Sequence, residues 1–219
     1  MNQYLNSLQA MHELLGALQS THWRDWIAKD IAEWQNSKST RHHLSAYGGM
    51  GSFNDLAFTD PWLDTLFGDL KSACNYFAHH PEDMPDISKL KSVMGETDFV
   101  LSGWRCFACG YCVVSHRDIE RFIAHKVVRE HILEEIDHGH LLEFVRSVIQ
   151  SPPSDRILSY TNVAEWVAHA GINIREADGW FRPCSNCNSE HTGAYRWSLS
   201  DSQEFIPSKS NLNIRKSAP

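Results

Sequence analysis

The sequence lacks an apolar run that approaches the roughly 18 to 20 residues needed to span a membrane. Its first residues, Met1 to Tyr4, are not a basic region followed by an apolar stretch, so a secretory signal pattern is missing too. We therefore expect a cytoplasmic protein with no membrane partner. The 6 cysteines do not suggest a disulfide framework, because 4 of them form two closely spaced pairs that suit metal binding in a reducing compartment.

Common catalytic motifs are also missing. The chain contains no G-x-S-x-G, no P-loop, no dinucleotide fingerprint and no H-E-x-x-H. The segment 183–187, P-C-S-N-C, matches half of a zinc deaminase signature, but Leu133 stands two residues after His131, where that signature needs glutamate. His131 and His138 share a helix face, yet they stand about 10 Å apart along its axis, too far to bind one ion. We therefore expect a protein that is not an enzyme, and keep a metal-dependent enzyme that uses the histidine-rich stretch 116–140 as an alternative.

Positive charge is scarce in the first half of the chain. The formal net charge is −7; residues 1–100 carry 7 lysines and arginines against 13 aspartates and glutamates, whereas residues 101–219 carry 13 against 14. An acidic surface repels phosphate backbones and attracts basic groups. We therefore expect a protein partner. The alternative is a zinc-ribbon regulator or nucleic-acid-associated factor, for which Arg105, Arg182 and Arg196, near the cysteine pairs, would form the contacts.

The chain does contain two Cys-x-x-Cys pairs. The first pair, Cys106 and Cys109, is followed by glycine, and the second pair, Cys184 and Cys187, is followed by asparagine. Two residues between cysteines let a tight turn direct both thiolates at one ion, and glycine and asparagine readily take the left-handed conformation that such a turn needs. Zn2+ takes four such ligands at about 2.3 Å. The pattern predicts one structural zinc site with all four cysteines, although 74 residues separate the pairs where about 15 to 20 are usual.

Other residues leave alternatives open for this site. Cys112 extends the first pair to C-x-x-C-x-x-C, which resembles part of an iron-sulfur ligand set, but Ser115 and His116 stand near the place of the fourth cysteine. His191 follows the second pair by four residues, and would replace a cysteine that is not used. Cys74 and Cys112 otherwise fit the core as small apolar residues.

The apolar spacing and the charge of residues 1–80 predict an acidic helical bundle. Three stretches repeat apolar residues at a spacing of three to four, so each forms one apolar helix face. These residues are Leu5, Leu8, Met11, Leu15 and Leu18; Trp23, Trp26, Ile27, Ile31 and Trp34; and Leu63, Leu66, Phe67, Leu70, Cys74 and Phe77. Asp60 and Pro61 are typical of the start of the last helix. Residues 81–98 lose the periodicity and predict a linker.

A glycine-rich segment, residues 47–56, lies between the second and third of these helices. It lacks the G-K-S/T ending of a phosphate-binding loop. We expect a compact turn with positive φ angles, in which Phe53 fills the helical core and Asn54 or Asp55 bonds to the backbone.

The octapeptide from Gly48 to Asp55, GGMGSFND, stands between a tryptophan-containing helix pair and a helix that ends in Tyr76-Phe-Ala78. In these features residues 1–80 resemble a family of small, functionally uncharacterised bacterial domains with the same glycine-rich signature. The family has no established activity to carry over. By analogy of type, such short cytoplasmic domains resemble the immunity proteins that neutralise contact-delivered bacterial toxins.

Residues 99–207 predict a zinc-ribbon-like module with a helical insertion between its two cysteine pairs. The expected strands are 99–104, 111–114, 172–175 and 194–199. The insertion is expected to start at Ser115 with Asp118, to break at Gly139, to stop at residues 151–154, and to resume in a short helix that starts at Thr161 or Asn162 and ends at Gly171. Residues 208–219 are expected to form a flexible tail.

The predicted fold class is therefore α+β and mainly helical, with a helical bundle before the zinc-ribbon-like module. The predicted function is binding of another protein without catalysis. Its most concrete form is a bacterial immunity protein that binds a cognate toxin, for example a basic nuclease, and carries a structural zinc ion.

Overall fold

The computed structural model of the chain describes residues 2–81, 86–94, 100–150, 153–176 and 183–212. Its α-helices and strands are, in chain order, α1 (Gln3–Ala17), α2 (Thr21–Ser37), α3 (Arg41–Leu44), α4 (Pro61–His79), α5 (Ile87–Val93), β1 (Val100–Cys106), β2 (Cys112–Ser115), α6 (His116–His138), α7 (Leu141–Ile149), α8 (Pro153–His169), β3 (Asn173–Arg175), β4 (Thr192–Leu199) and β5 (Phe205–Pro207). The described residues thus form a mainly helical α+β fold, as the sequence predicted.

The chain divides into two compact units at places that differ from the predicted boundaries. Unit 1 comprises Met1–Glu96 and Val127–Ser151, and unit 2 comprises Thr97–Lys126 and Pro152–Pro219. The division falls inside α6, so part of the predicted insertion belongs to the helical unit. The physical reason is that α7 carries an apolar face that packs on α1 and α4.

Part of the predicted linker 81–98 is helical. Asp86 accepts a hydrogen bond from the amide of Lys89 (3.2 Å) and so caps α5, and Leu90 and Met94 are buried. Ile87, Leu90 and Met94 stand at a spacing of three to four, but two helical turns give too short a pattern to be told from a linker. Residues 82–85 and 95–99 of the predicted linker lie outside the described residues.

The core of unit 1 is built on the apolar faces of α1, α2, α4 and α7. Its buried side chains include Leu8, Met11, Leu14, Leu15, Ile27, Trp34, Leu66, Phe67, Leu70, Phe77 and Val145. α4 begins as predicted, because an Asp60 carboxylate oxygen accepts from the amides of Trp62 (2.8 Å) and Leu63 (3.1 Å). Of the three tryptophans on the predicted apolar face of α2, Trp34 is buried, whereas Trp23 and Trp26 are half-buried.

The glycine-rich loop, residues 47–56, has the predicted conformation. Gly49 and Gly51 have φ angles of 88° and 76°, which side chains with a Cβ rarely adopt. Phe53 is fully buried, with its ring 5.2 Å from that of Phe67 and 4.9 Å from that of Trp23. The loop is therefore anchored in the core of unit 1.

Asp55 closes the same loop. One of its carboxylate oxygens accepts hydrogen bonds from the amides of Gly51 (2.7 Å) and Ser52 (3.0 Å). The Asn54 side chain donates to the carbonyl of Tyr47 (3.4 Å). These bonds confirm the predicted roles of both residues and hold the loop in one shape.

Unit 2 contains one five-stranded sheet with the order β3-β2-β1-β4-β5. β1 pairs antiparallel with β2 and β4, β4 pairs antiparallel with β5, and β2 pairs parallel with β3. The four predicted strands are present, and β5 is an addition that the sequence did not reveal. α6 starts with the predicted capping box, in which the Ser115 amide donates to Asp118 (2.9 Å) and the Asp118 amide donates to the Ser115 hydroxyl (3.1 Å).

Two predictions for unit 2 need correction. α8 starts at Pro153 rather than at Thr161 or Asn162, because proline fits the first turn of a helix as well as it ends one. The start of the expected flexible tail is attached to the sheet, since the Asn211 side chain accepts from the Arg196 amide (3.0 Å) and donates to its carbonyl (2.8 Å). Ser208 and Asn211 are buried. Residues 213–219 lie outside the described residues.

Candidate metal centre

The two cysteine pairs form turns with the same backbone hydrogen bonds. In each turn the amide of the first cysteine donates to the carbonyl five residues later, at 2.8 Å for Cys106 and 2.9 Å for Cys184. The amide after the second cysteine donates back to the first cysteine's carbonyl, at 2.9 Å from Gly110 and 2.8 Å from Asn188. Gly110 and Asn188 have φ angles of 79° and 56°, so both take the predicted left-handed conformation.

The thiols of Cys106, Cys109, Cys184 and Cys187 form one cluster. Their sulfur atoms all lie within 4.8 Å of one another, with Cys106 3.6 Å from Cys187 and Cys109 3.8 Å from Cys184. A tetrahedral ion with metal-sulfur bonds of about 2.3 Å places its sulfur ligands about 3.8 Å apart. The four residues that the sequence singled out are therefore placed where one metal ion would bind all of them.

Strand pairing explains how the pairs meet across the long insertion. β1 ends at Cys106, which stands directly opposite Thr192 at the start of β4. One residue further on, the Phe107 amide donates to the carbonyl of His191 (2.9 Å). The two turns are thus joined by backbone hydrogen bonds, and the insertion leaves and returns at the same end of the sheet.

The four thiols differ in exposure and in their hydrogen bonds. Cys106 and Cys184 are buried, whereas Cys109 and Cys187 are exposed. The Asn186 side chain donates to the sulfur of Cys109 (3.5 Å) and, with the Tyr111 amide, lowers the pKa of that thiol. The pKa of Cys187 is raised although the Ser189 amide acts to lower it, because a protonated Cys187 thiol donates a hydrogen bond to the sulfur of Cys109. A divalent cation takes the place of such protons at thiolate ligands, so the donor set fits a metal ion.

The other cysteines and His191 do not join the cluster. The Cys112 thiol donates to the carbonyl of Gly110 (3.2 Å), and the His191 ring lies 5.4 Å from that of Phe107. Cys74 is buried in unit 1, where desolvation raises its pKa to about 12. Within the described ranges, no second group of three or more histidines, cysteines or carboxylates is close enough to share an ion.

The structure describes two of the three arginines that were considered as nucleic-acid contacts. Arg105 donates to the Tyr195 hydroxyl (3.0 Å), and its guanidinium lies 5.0 Å from the centre of that ring. Arg196 is exposed on β4, and Arg182 lies outside the described residues. Arg105 therefore binds a side chain of the neighbouring strand β4.

Sequence reasoning missed a second polar cluster, in unit 1. The carboxylate of Asp30, whose side chain has 0% exposure, binds Nδ1 of His42 through one oxygen and Nδ1 of His43 through the other, the latter at 2.8 Å. Nε2 of His43 in turn contacts the Tyr47 hydroxyl at 3.0 Å. An ionised carboxylate only accepts hydrogen bonds, so both Nδ1 atoms donate.

Glu33 adds to the same arrangement. Its two carboxylate oxygens accept from the Ser39 hydroxyl (2.7 Å) and the His42 amide (3.1 Å). Two acids of α2 therefore fix the segment that leads into the glycine-rich loop. The signal in the sequence was that Asp30 falls three residues after Ile27 and four before Trp34, on the apolar face of α2.

Part of the chain is similar to a known protein family. A family described as a domain of unknown function, DUF6966, matches residues 17–60, which include Asp30, the two histidines and the glycine-rich loop. The four clustered cysteines lie outside the matched segment. No curated protein and no solved structure matches the chain. In the part of the chain that the structure describes, none of the helices is long and apolar enough to cross a bilayer.

Proposed function

We propose that this chain is a protein-binding protein without catalytic activity, of the kind that covers and neutralises a toxin domain. The observation that carries the proposal is the tip of the glycine-rich loop. Met50 is fully exposed there, on a loop that Phe53 anchors in the core and Asp55 holds closed. An exposed apolar side chain on a fixed backbone suits docking, because little conformational freedom is lost on binding. Methionine also adapts to the shape of a partner's pocket.

The charge distribution supports a basic partner. Unit 1 contains 9 lysines and arginines against 17 aspartates and glutamates, a formal balance of −8, whereas unit 2 contains 11 against 10, a balance of +1. The negative charge of the chain thus belongs to the unit that presents Met50. Such a surface attracts a basic protein, for example a nuclease, and speeds its association.

For the cysteine cluster we propose a structural Zn2+. Four thiolates are a soft ligand set that suits zinc, and the sulfur spacing fits its tetrahedral geometry. With four protein ligands the ion has no open position for water or substrate. Its role is to hold the end of β1 beside the start of β4, and so to stabilise the sheet of unit 2.

A pull-down with Met50→Asp tests the binding proposal. Wild type, Met50→Asp and Val93→Asp are tagged and purified from the native cells at moderate salt, and the bound proteins are identified and quantified by mass spectrometry. Val93 is the matched control, because it is a second exposed apolar residue of unit 1, at 56% exposure. We expect one stoichiometric basic protein with wild type and Val93→Asp, and at least about a tenfold loss with Met50→Asp, since a buried charge in an interface costs more than 1.4 kcal/mol. Nucleic acid in place of a protein, or equal loss in both variants, would contradict the proposal.

Metal analysis tests the zinc proposal. Cys109→Ser and Cys184→Ser each remove one ligand, so we expect both variants to lose the zinc and to melt at lower temperature. Cys112→Ser is the control, because that thiol bonds to a backbone carbonyl outside the cluster. Wild type and Cys112→Ser should hold one zinc per chain. Unchanged zinc in the two ligand variants would show that the assignment is wrong.

A further inference from the structure

The four thiols of the cluster are not equally accessible to a reagent in solution. In each pair the first cysteine is buried, Cys106 at 0% and Cys184 at 1% exposure, and the second, Cys109 or Cys187, is exposed. A small oxidant therefore reaches the second cysteine of each pair first. Oxidation of cysteine follows thiolate character and exposure, and a bound divalent ion keeps all four thiols deprotonated.

Hydrogen bonding distinguishes the two exposed thiolates. A backbone amide acts on each sulfur, that of Tyr111 on Cys109 and that of Ser189 on Cys187. Among the described residues, a side-chain amide, that of Asn186, donates in addition to Cys109 (3.5 Å) and not to Cys187. A hydrogen bond withdraws electron density from sulfur and lowers its nucleophilicity. Since both sulfurs are already thiolates in the zinc form, Cys187 is the more reactive of the two.

A resolving thiol stands beside each exposed cysteine, on the opposite turn. Cys106 lies 3.6 Å from Cys187, and Cys184 lies 3.8 Å from Cys109. The Phe107 amide also donates to the carbonyl of His191, just after the second turn, so a backbone bond lies beside the sulfur pairs. The sulfurs of either pair need to approach by less than about 2 Å to reach the length of a disulfide bond.

We propose that the cluster is a hydroperoxide-sensitive site, at which Cys187 is oxidised first, then forms a disulfide with Cys106 and releases the metal. This inference rests on the proposed zinc site. The thiolate sulfur of Cys187 attacks one oxygen of hydrogen peroxide; the S–O bond forms, the O–O bond breaks, and the departing hydroxide takes up a proton to give water. The Cys106 thiolate then attacks the Cys187 sulfur; the S–S bond forms and the S–O bond breaks, and the second hydroxide leaves as water after protonation.

The two thiolates lose two electrons in total, and the peroxide gains them. Only two thiolates then remain for the ion, which is too few to fill a tetrahedral site. The product is a metal-free unit 2 whose two turns are linked covalently.

The test uses the full chain loaded with zinc and treated with hydrogen peroxide. Released zinc is followed with a metallochromic indicator, and disulfides are mapped by mass spectrometry after tryptic digestion without reduction. Trypsin leaves Cys106 and Cys109 in one peptide, 106–117, and Cys184 and Cys187 in another, 176–196. A disulfide between the turns joins these two peptides, and fragmentation of the joined product assigns it to Cys187 and Cys106. We expect one zinc released for each such link.

Asn186→Ala is the test variant, because it removes the hydrogen bond to Cys109 and keeps all four thiols. We expect oxidation at Cys109 to rise roughly three- to tenfold, so that a link between Cys109 and Cys184 appears beside the first one. Asn173→Ala is the control; that side chain donates to the carbonyl of Cys112 (3.0 Å) and touches none of the four sulfurs.

The outcomes separate this inference from the zinc proposal. A chain that binds no zinc overturns both. A zinc-loaded chain that keeps its zinc in peroxide, or that forms disulfides within each pair, overturns only the inference about oxidation. If Asn186→Ala and wild type form the same disulfides in the same proportions, the inference that Cys187 is oxidised before Cys109 is wrong.

Discussion

Asp30 is the single residue on which the segment after α2 most depends. Its buried carboxylate accepts from two imidazole rings, and an amide at the same place offers only one oxygen. We expect Asp30→Asn to lower the free energy of unfolding by on the order of 3 kcal/mol, because it removes the charge that the buried His43 and the half-buried His42 face. Urea unfolding measures the change. Asp25→Asn, on the exposed side of the same helix, should change it by less than about 0.5 kcal/mol, and an equal loss in both variants would contradict this role.

At the same scale, the residues that could be predicted are those whose geometry is local. Cys106 and Cys184 each start a turn that is closed by a hydrogen bond to the carbonyl five residues later, so the spacing within a pair brings its two thiols close together. Asp30 is different, because the histidines that bind it stand 12 and 13 residues away, and only the packing of α3 on α2 brings them there. A charged residue on an apolar helix face signals that partners exist, but not which ones.

At the scale of elements, ends were predicted where a side chain or a glycine satisfies the backbone. Asp60, Ser115 with Asp118, and the break at Gly139 all bond or bend the backbone within a few residues. α5 was missed because its two turns give only a short apolar pattern. β5 was missed because Phe205 is the one buried residue of its three, and Pro207 argues against a strand. Their stability comes from burial of Leu90 and Phe205, which depends on the tertiary fold.

The glycine-rich loop has two features that follow from its local sequence and one that depends on the tertiary fold. Its positive φ angles follow from glycine, and its closure follows from the capping residues Ser52 and Asp55. Neither feature requires that Met50 be exposed. That exposure follows from Phe53, since anchoring this ring in the core directs the preceding turn outward. The element therefore presents an apolar side chain as a consequence of how it is anchored.

At the scale of the whole molecule, the sequence predicted two parts but not where they divide. The periodicity of α6 continues without a break from His116 to His138, so nothing local marks the place where the helix passes from unit 2 to unit 1. The division becomes visible only in the contacts of α7 with α1 and α4. Under the proposed binding function this division matters, because it assigns the acidic residues of the second half of α6 to the unit that presents the loop.

Buried tyrosine and cysteine side chains in unit 1 make the folded state less stable at alkaline pH. Burial raises the pKa of Tyr4 and of Tyr47, and it raises the pKa of the Cys74 thiol from 9.0 to about 12. The folded state therefore keeps protons that the unfolded state loses above pH 9, so stability is full below pH 9 and falls as the pH rises toward 12.

The Cys74 thiol should account for a loss of about 1.4 kcal/mol at pH 10, before the tyrosines contribute fully. We expect the urea midpoint to be constant from pH 7 to 8.5 and to fall from pH 9 to 10. Cys74→Ala leaves a small cavity and so lowers the midpoint at every pH, but its midpoint should fall less steeply between pH 9 and 10, because the unfolded variant has no thiol to ionise there. Circular dichroism at a fixed ionic strength measures both curves. Parallel curves for wild type and Cys74→Ala would show that the thiol does not cause the fall.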